Sequence, residues 1–187
     1  MAQPGAQAPA ATPSGYGFTL GLTDGGQITR DIAQQHAASI CASVKVPVNG
    51  DFENGFGDDP ETVRLAAEAG LSGVSVEDTA VPGTNSYPFD PALARIEAAG
   101  IVLTARSDGW LMNDYDLAEA LRRCHAFAQA GADVMYAPLV DTGTTRALAA
   151  TGTLVNLLAA GAMLERGDFT ILKGDASTAE IDAMLAG

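Results

Sequence analysis

Three times in this chain a helix-like run ends in a small residue and a glycine and passes at once into a short apolar run. Glu68-Ala69-Gly70 precedes Val74–Val76, Ala98-Ala99-Gly100 precedes Ile101–Ala105, and Gln129-Ala130-Gly131 precedes Asp133–Ala137. Glycine just past a periodic segment is a helix stop. Strands separated by helices imply a parallel sheet. Right-handed crossovers then set every strand's carboxyl end on one face, where α/β folds bind ligands.

The residues leaving those ends are charged. In Val46–Gly57, V-P-V-N-G-D-F-E-N-G-F-G, an apolar run passes into Asp51 and Glu53, then into Gly55 and Gly57. This is the pattern of a buried strand leaving a sheet for a turn. Carboxylates two apart on an extended chain project to one side. There they either share a hard cation such as Mg²⁺ or solvate a loop. Glu77 and Asp78 follow Val74–Val76, and Arg106-Ser107-Asp108 follow Ile101–Ala105. A parallel sheet brings Asp51, Glu53, Glu77 and Arg106 to a common mouth.

Residues 1–13 are rich in Ala, Pro and Gln without a hydrophobic period and are expected to form a disordered tail. That leaves 14–187 as one domain. Tyr16–Leu22 reads as a weak strand or loop. Thr29 caps a helix to about Ser43, and Asp59-Pro60-Glu61 opens a second that stops at Gly70. Pro91–Ala99 and Asp116–Ala130 are further helices, and a Pro/Gly-rich loop runs from Thr79 to Pro88. Beyond Asp141 the rhythm breaks. Thr144–Arg166 reads mostly as helix, either continuous or interrupted at Thr151-Gly152, with no intervening strand, and Phe169–Leu172 as a short extended piece. Ser177-Thr178-Ala179-Glu180 opens a last helix as a capping box. About five strands are expected.

Composition narrows the function classes. A chain of 187 residues that is 47% hydrophobic and 18% charged is globular. Its net charge of −13 lacks the basic footprint of nucleic-acid binding. No apolar run reaches the length of a membrane span, and no signal-peptide pattern opens the chain, so a cytoplasmic location is expected. Cys41 and Cys124 lie in helical runs and read as small core residues. His36 and His125 lack a second ligand at metal spacing. Gly25-Gly26 lacks the Walker lysine, and Gly15-x-Gly17 lacks the rest of a dinucleotide fingerprint.

Four ordered motifs carry a resemblance: V-P-V-N-G-D-F-E-N-G-F-G-D-D-P-E (46–61), G-V-S-V-E-D-T (73–79), V-L-T-A-R-S-D (102–108) and A-G-A-D-V-M-Y-A-P (130–138). Together they resemble the isocitrate lyase / phosphoenolpyruvate mutase superfamily, in particular its small bacterial members. The upstream S-G-Y-G-F-T-L-G-L-T-D-G-G-Q-I-T-R-D (14–31) is similar to that family's first active-site loop. The match is continuous over about 14–140 and weaker over 153–186.

The resemblance implies a (β/α)₈ TIM-type barrel assembled as dimers or tetramers. It also implies Mg²⁺ holding a small 2-oxo acid, a phosphonate or the derived enolate while a C–C or C–P bond breaks or moves. Carried over by motif, Asp51 and Glu53 face Mg²⁺, partly through water, Glu77 completes the acidic ring, and Asp24 borders it. Arg106 binds the substrate carboxylate and neutralises the enolate oxygen. Ser14, Gly15 and Tyr16 match the segment whose backbone cradles the substrate. A metal and a guanidinium stabilise an enolate where its charge forms.

Departures from the family are equally specific. Isocitrate and methylisocitrate lyases carry a Lys-Lys/Arg-Cys-Gly-His loop that supplies a catalytic thiol. Here D-T-A-V-P-G-T-N-S-Y (78–87) has neither Cys nor Lys, which disfavours a thiol acid. Its T-N-S resembles the gating loop of phosphonate-handling members and places Asn85 near the transferring group, with Gly83 where a lysine usually stands. Trp110 and Tyr115 line the mouth or pack a loop, and Asp108 reads as an orienting partner of Arg106 or a surface charge. A (β/α)₈ barrel typically takes about 250 residues. The expected architecture is therefore a partial or reduced barrel with C-terminal helices. It is either a working enzyme completed by homo-oligomerisation or a catalytically silent barrel with an assembly or binding role.

Overall fold

The computed structural model describes residues 8–57, 61–83, 85–96, 101–156, 158–159 and 171–172. Five strands run side by side in chain order, all parallel: β1 (Asn49–Asp51), β2 (Gly73–Glu77), β3 (Val102–Arg106), β4 (Val134–Tyr136) and β5 (Leu154–Val155). Between them lie α3 (Glu61–Glu68), α4 (Phe89–Ala94), α5 (Leu117–Gln129) and α6 (Thr142–Ala149). Two helices precede the sheet, α1 (Pro13–Thr19) and α2 (Arg30–Ser43). A separate parallel pair, β6 (Leu158–Ala159) and β7 (Ile171–Leu172), stands apart from this order. The fold class is α/β.

Local chemistry sets the helix ends. The side-chain oxygens of Thr29, Asp116 and Asp141 accept hydrogen bonds from the backbone N–H groups of Ile32, Glu119 and Thr144, satisfying donors that a helix start leaves open. Gly70 and Gly131 adopt φ 94° and 113° beyond α3 and α5, the left-handed stop their positions imply.

Strand β2 is buried from Gly73 to Val76, as expected of a strand covered on both faces. The main core joins Phe52, Val74, Leu103 and Phe127, each at most 1% exposed, with Ala37 and Ala66 from the flanking helices. Gly50 is glycine because a Cβ there would press on Phe52 and Leu71. A second cluster, Cys124, Met135, Ala137 and Leu148, seals α5 and α6 against β4.

Three expectations are corrected. Tyr16–Leu22 is not a strand: Pro13 at the first turn opens α1, and Tyr16 stacks on His36 of α2 with ring centroids 3.8 Å apart. The stretch expected to be a tail contributes structure at its end. Asn49 donates to the carbonyl of Pro9 and accepts from the N–H of Ala11, which is buried. A strand does intervene after Asp141. Helix α6 stops before Gly152 (φ 93°), and Leu154 and Val155 then pair with Val134 and Met135. Two residues are too few to show a period of their own. Residues 58–60, 97–100 and 177–180, where a helix start, a helix stop and a capping box are expected, lie outside the described residues.

Candidate active site at the strand carboxyl ends

Four strands end on polar side chains: Asp51 closes β1, Glu77 β2, Arg106 β3 and Tyr136 β4. The parallel register sets Glu77 beside Arg106 and Arg106 beside Tyr136. The Arg106 guanidinium, 16% exposed, is the hub. Nη1 donates to Asp51 Oδ2 at 3.0 Å, and Nη2 pairs with Glu77 Oε1 at 3.1 Å. Nε and Nη2 form a fork on Asp108 at 3.0 and 2.6 Å. The guanidinium carbon stands 5.3 Å from the centre of the Tyr136 ring. Of its five N–H groups, three donate to Asp108 and Asp51 and Glu77 adds an ion pair, so hydrogen-bonding capacity remains on Nη1 for a ligand oxygen.

The electrostatics follow from burial and crowding. Burial raises the Glu77 carboxyl to about 8, helped by Asp108 and Asp51 and opposed by Arg106 and the Thr79 hydroxyl. Burial, then Asp24 and Asp51, raises Glu53 to about 7. Asp51 is pushed up by burial and by Asp108 against the pull of Arg106. Burial alone would lower Arg106, but Asp108, Asp51 and Glu77 carry it well above its ordinary value. Carboxylates outnumber the cation at this rim.

That surplus fits a hard cation. The donors are all oxygens, the set Mg²⁺ prefers. Glu53 Oε2 is buried and has no hydrogen-bond partner among the described residues, which calls for a cation or a proton. Among the described residues no three acidic, histidine or cysteine side chains enclose a metal position. A cation here would use one or two carboxylates and keep several waters, as Mg²⁺ commonly does.

The structure thus unites Asp51, Glu77 and Arg106. Glu53 joins them for a different reason than an extended chain supplies. Strand β1 stops at Asp51, Glu53 turns into the left-handed region at φ 46°, and its N–H donates to Asp51 Oδ1 at 3.2 Å. Arg95 holds this turn by donating to the carbonyls of Asn54 and Gly57, and Asn54 Nδ2 donates to Val81 O at 3.1 Å. Asp24 lies in the loop after α1, where its Oδ1 accepts from Gly25 N at 3.0 Å and its charge acts on Glu53.

Other expected residues stand differently. Ser14, Gly15 and Tyr16 belong to α1. The Ser14 hydroxyl lies 3.0 Å from that of Thr12, and the Tyr16 N–H is engaged by Thr12 O. No hydrogen bond or ion pair joins these three to Arg106, Asp51 or Glu77 among the described residues. Asn85 has an exposed side chain, and its carbonyl accepts from Ala80 N across a turn. Sequence reasoning passed over Asp78, buried beside Glu77, whose alternate position on the strand was the available signal.

The sequence profile of the phosphoenolpyruvate phosphomutase family matches residues 1–173. The chain belongs to that family. It is 36% identical to a candidate lyase/mutase of Burkholderia cenocepacia J2315, covering 97% of this chain and 66% of that one with a TM-score of 0.75. It is 30% identical over 128 residues to an oxaloacetate decarboxylase of Paraburkholderia xenovorans, covering 59% of this chain and 42% of the relative. A phosphonopyruvate hydrolase solved with oxalate and Mg²⁺ shares the fold, at 20% identity and a TM-score of 0.75 over 88% of this chain and 64% of that one. The chain spans about half the length of the curated relatives it matches, 42–52%. Its five parallel strands are a portion of the TIM-type arrangement of these relatives.

Proposed function

We propose that this protein is a Mg²⁺-dependent enzyme of the lyase and mutase kind, acting on a small 2-oxo acid or phosphonate through an enolate. One observation carries the reading: Arg106, held by carboxylates from three strand ends, keeps Nη1 capacity for an incoming oxygen. Asp51, Glu53 and Glu77, with Asp24 bordering them, would hold the Mg²⁺, one or two of them directly and the rest through water; when bound, the ion polarises the 2-oxo oxygen.

Arg106 binds the substrate's anionic oxygen and, fixed by Asp108, stays aimed as negative charge grows during bond cleavage. A donor already oriented needs no reorganisation as the charge develops. The rim is mostly buried, which strengthens that interaction. No thiol is proposed as the source of the returning proton: Cys124 is buried behind Ser107 and Cys41 packs beside Gly70. Ser14–Tyr16 and Asn85 are proposed to border the substrate once it is bound, and the working form is proposed to be a homo-oligomer.

The competing reading is a silent barrel segment with an assembly or binding role, favoured by the chain's spanning only about half its relatives' length. Oxaloacetate, phosphonopyruvate and methylisocitrate, each assayed with Mg²⁺, separate the two. Turnover of any one, abolished in Arg106→Ala, supports the enzyme. Turnover of none supports the silent segment.

A further inference from the structure

Next to Arg106 a second polar cluster joins the end of β2 to the Asp108–Trp110 turn. Its centre is Asp78, 3% exposed. Oδ1 accepts from the backbone N–H groups of Asp108 and Gly109 at 2.8 and 3.2 Å. Oδ2 accepts from the Tyr115 hydroxyl at 2.6 Å and from Arg123 Nη1 at 3.0 Å. The Asp78 N–H donates to the carbonyl of Arg106 itself at 3.1 Å. Arg123 is anchored in turn by Glu119 and by the Tyr87 carbonyl.

A buried carboxylate must have its lone pairs satisfied, and what distinguishes this one is which N–H groups satisfy it. They belong to the three-residue turn Asp108–Trp110, the segment that carries the fork on Arg106. We propose that Asp78 is the positioning residue for Arg106. It fixes the backbone of Asp108, the Asp108 carboxylate then fixes the plane of the guanidinium, and Nη1 is thereby aimed into the mouth. Tyr115 and Arg123 hold Asp78 in the one rotamer that reaches both N–H groups. The inference rests on Arg106 being the group that meets the ligand.

The test reads Arg106 directly. In ¹⁵N-labelled full-length protein the Arg106 Nε–H resonance, assigned by its loss in Arg106→Lys, is expected to be protected from solvent exchange by the Asp108 fork. In Asp78→Asn the amide sets N–H donors against Tyr115 and Arg123, so the side chain loses the hold that keeps its oxygen on the Asp108 and Gly109 N–H groups. Exchange at Arg106 Nε–H should then rise roughly tenfold or more, while the Leu103 and Val74 amides in the sheet keep their protection. Tyr115→Phe, which removes one bond to Asp78, should move the same resonance in the same direction by less. An Arg106 Nε–H unprotected in the parent, or unmoved in folded Asp78→Asn, overturns the assignment. Should Asp78→Asn not fold, an unmoved resonance in Tyr115→Phe overturns it equally. Adding oxalate and Mg²⁺ to the parent separates the two claims. If the variants behave as expected but the parent resonance ignores both additions, the positioning stands and the enzyme reading fails.

Discussion

Arg106 and Asp51 stand 55 positions apart in sequence and 3.0 Å apart in space, Nη1 to Oδ2. The contact exists because β1 and β3 flank β2 in parallel: Asp51 pairs with Ser75, level with Thr104, and the Arg106 side chain spans the remaining two residues.

Arg106→Ala should cost ~3 kcal/mol or more of transition-state stabilisation, the scale of removing a charged oxyanion partner. The reading is kcat/KM on whichever 2-oxo acid or phosphonate is turned over. Arg106→Lys should be nearly as damaging, because an ammonium cannot reproduce the fork on Asp108. Parent-like kcat/KM in either variant contradicts the role.

Stability should fall as pH rises through the window set by Glu77. Its carboxyl titrates near 8 when folded against an ordinary 4.5. Between those values the folded chain keeps a proton that the unfolded chain releases. The associated stability is therefore full below about 4.5 and lost by about 8. Glu53, raised to about 7, acts in the same direction. Urea unfolding at about pH 5 and about pH 8.5 should differ by on the order of 1 kcal/mol or more, with the lower value at high pH. Glu77→Gln should shrink the difference, and an unchanged decline in that variant rules out Glu77 as its source.

A methyl group at position 109 has nowhere to go. The Cβ of Gly109→Ala would overlap the Tyr115 ring and the Ser86 hydroxyl. Overpacking of this kind costs about 1–3 kcal/mol. Ser86 also ties the Thr79–Pro88 loop to Asp114, so the strain should spread to that loop. A melting temperature within error of the parent's would show that the contact relaxes freely.

Arg95 supports the acidic turn from below, stacked 4.3 Å over the Tyr87 ring while it holds the carbonyls of Asn54 and Gly57. Two non-glycine residues of that turn, Glu53 and Phe56, have positive φ, a conformation that persists only when its surroundings hold it. Arg95→Ala should lower stability by on the order of 1–3 kcal/mol and weaken Mg²⁺ binding as Glu53 drifts. Chemical denaturation paired with a Mg²⁺ titration reads both, and unaltered Mg²⁺ affinity would separate Arg95 from the site.

What the sequence made legible was whatever has a local cause. Thr29 and Asp116 as caps, Gly70 and Gly131 as stops, and the charged residues closing β1 to β3 all follow from neighbours within a few positions. The α1 helix was hidden because Tyr16 and Phe18 favour strands, while the stacking on His36 that accompanies the helix lies 20 residues away. Strand β5 was hidden because it is two residues long and is defined by its partner, β4. Asp78 looked like one more loop acid. Its burial depends on Tyr115 and Arg123, which only the tertiary fold delivers.

The most direct measurement is a calorimetric Mg²⁺ titration of the parent and of Asp51→Ala, with and without oxalate. Binding at millimolar or tighter concentration in the parent, strengthened by oxalate and absent in Asp51→Ala, is the expected result. Equal binding by both proteins, or none by the parent, would contradict a metal-assisted site at the ends of β1, β2 and β3.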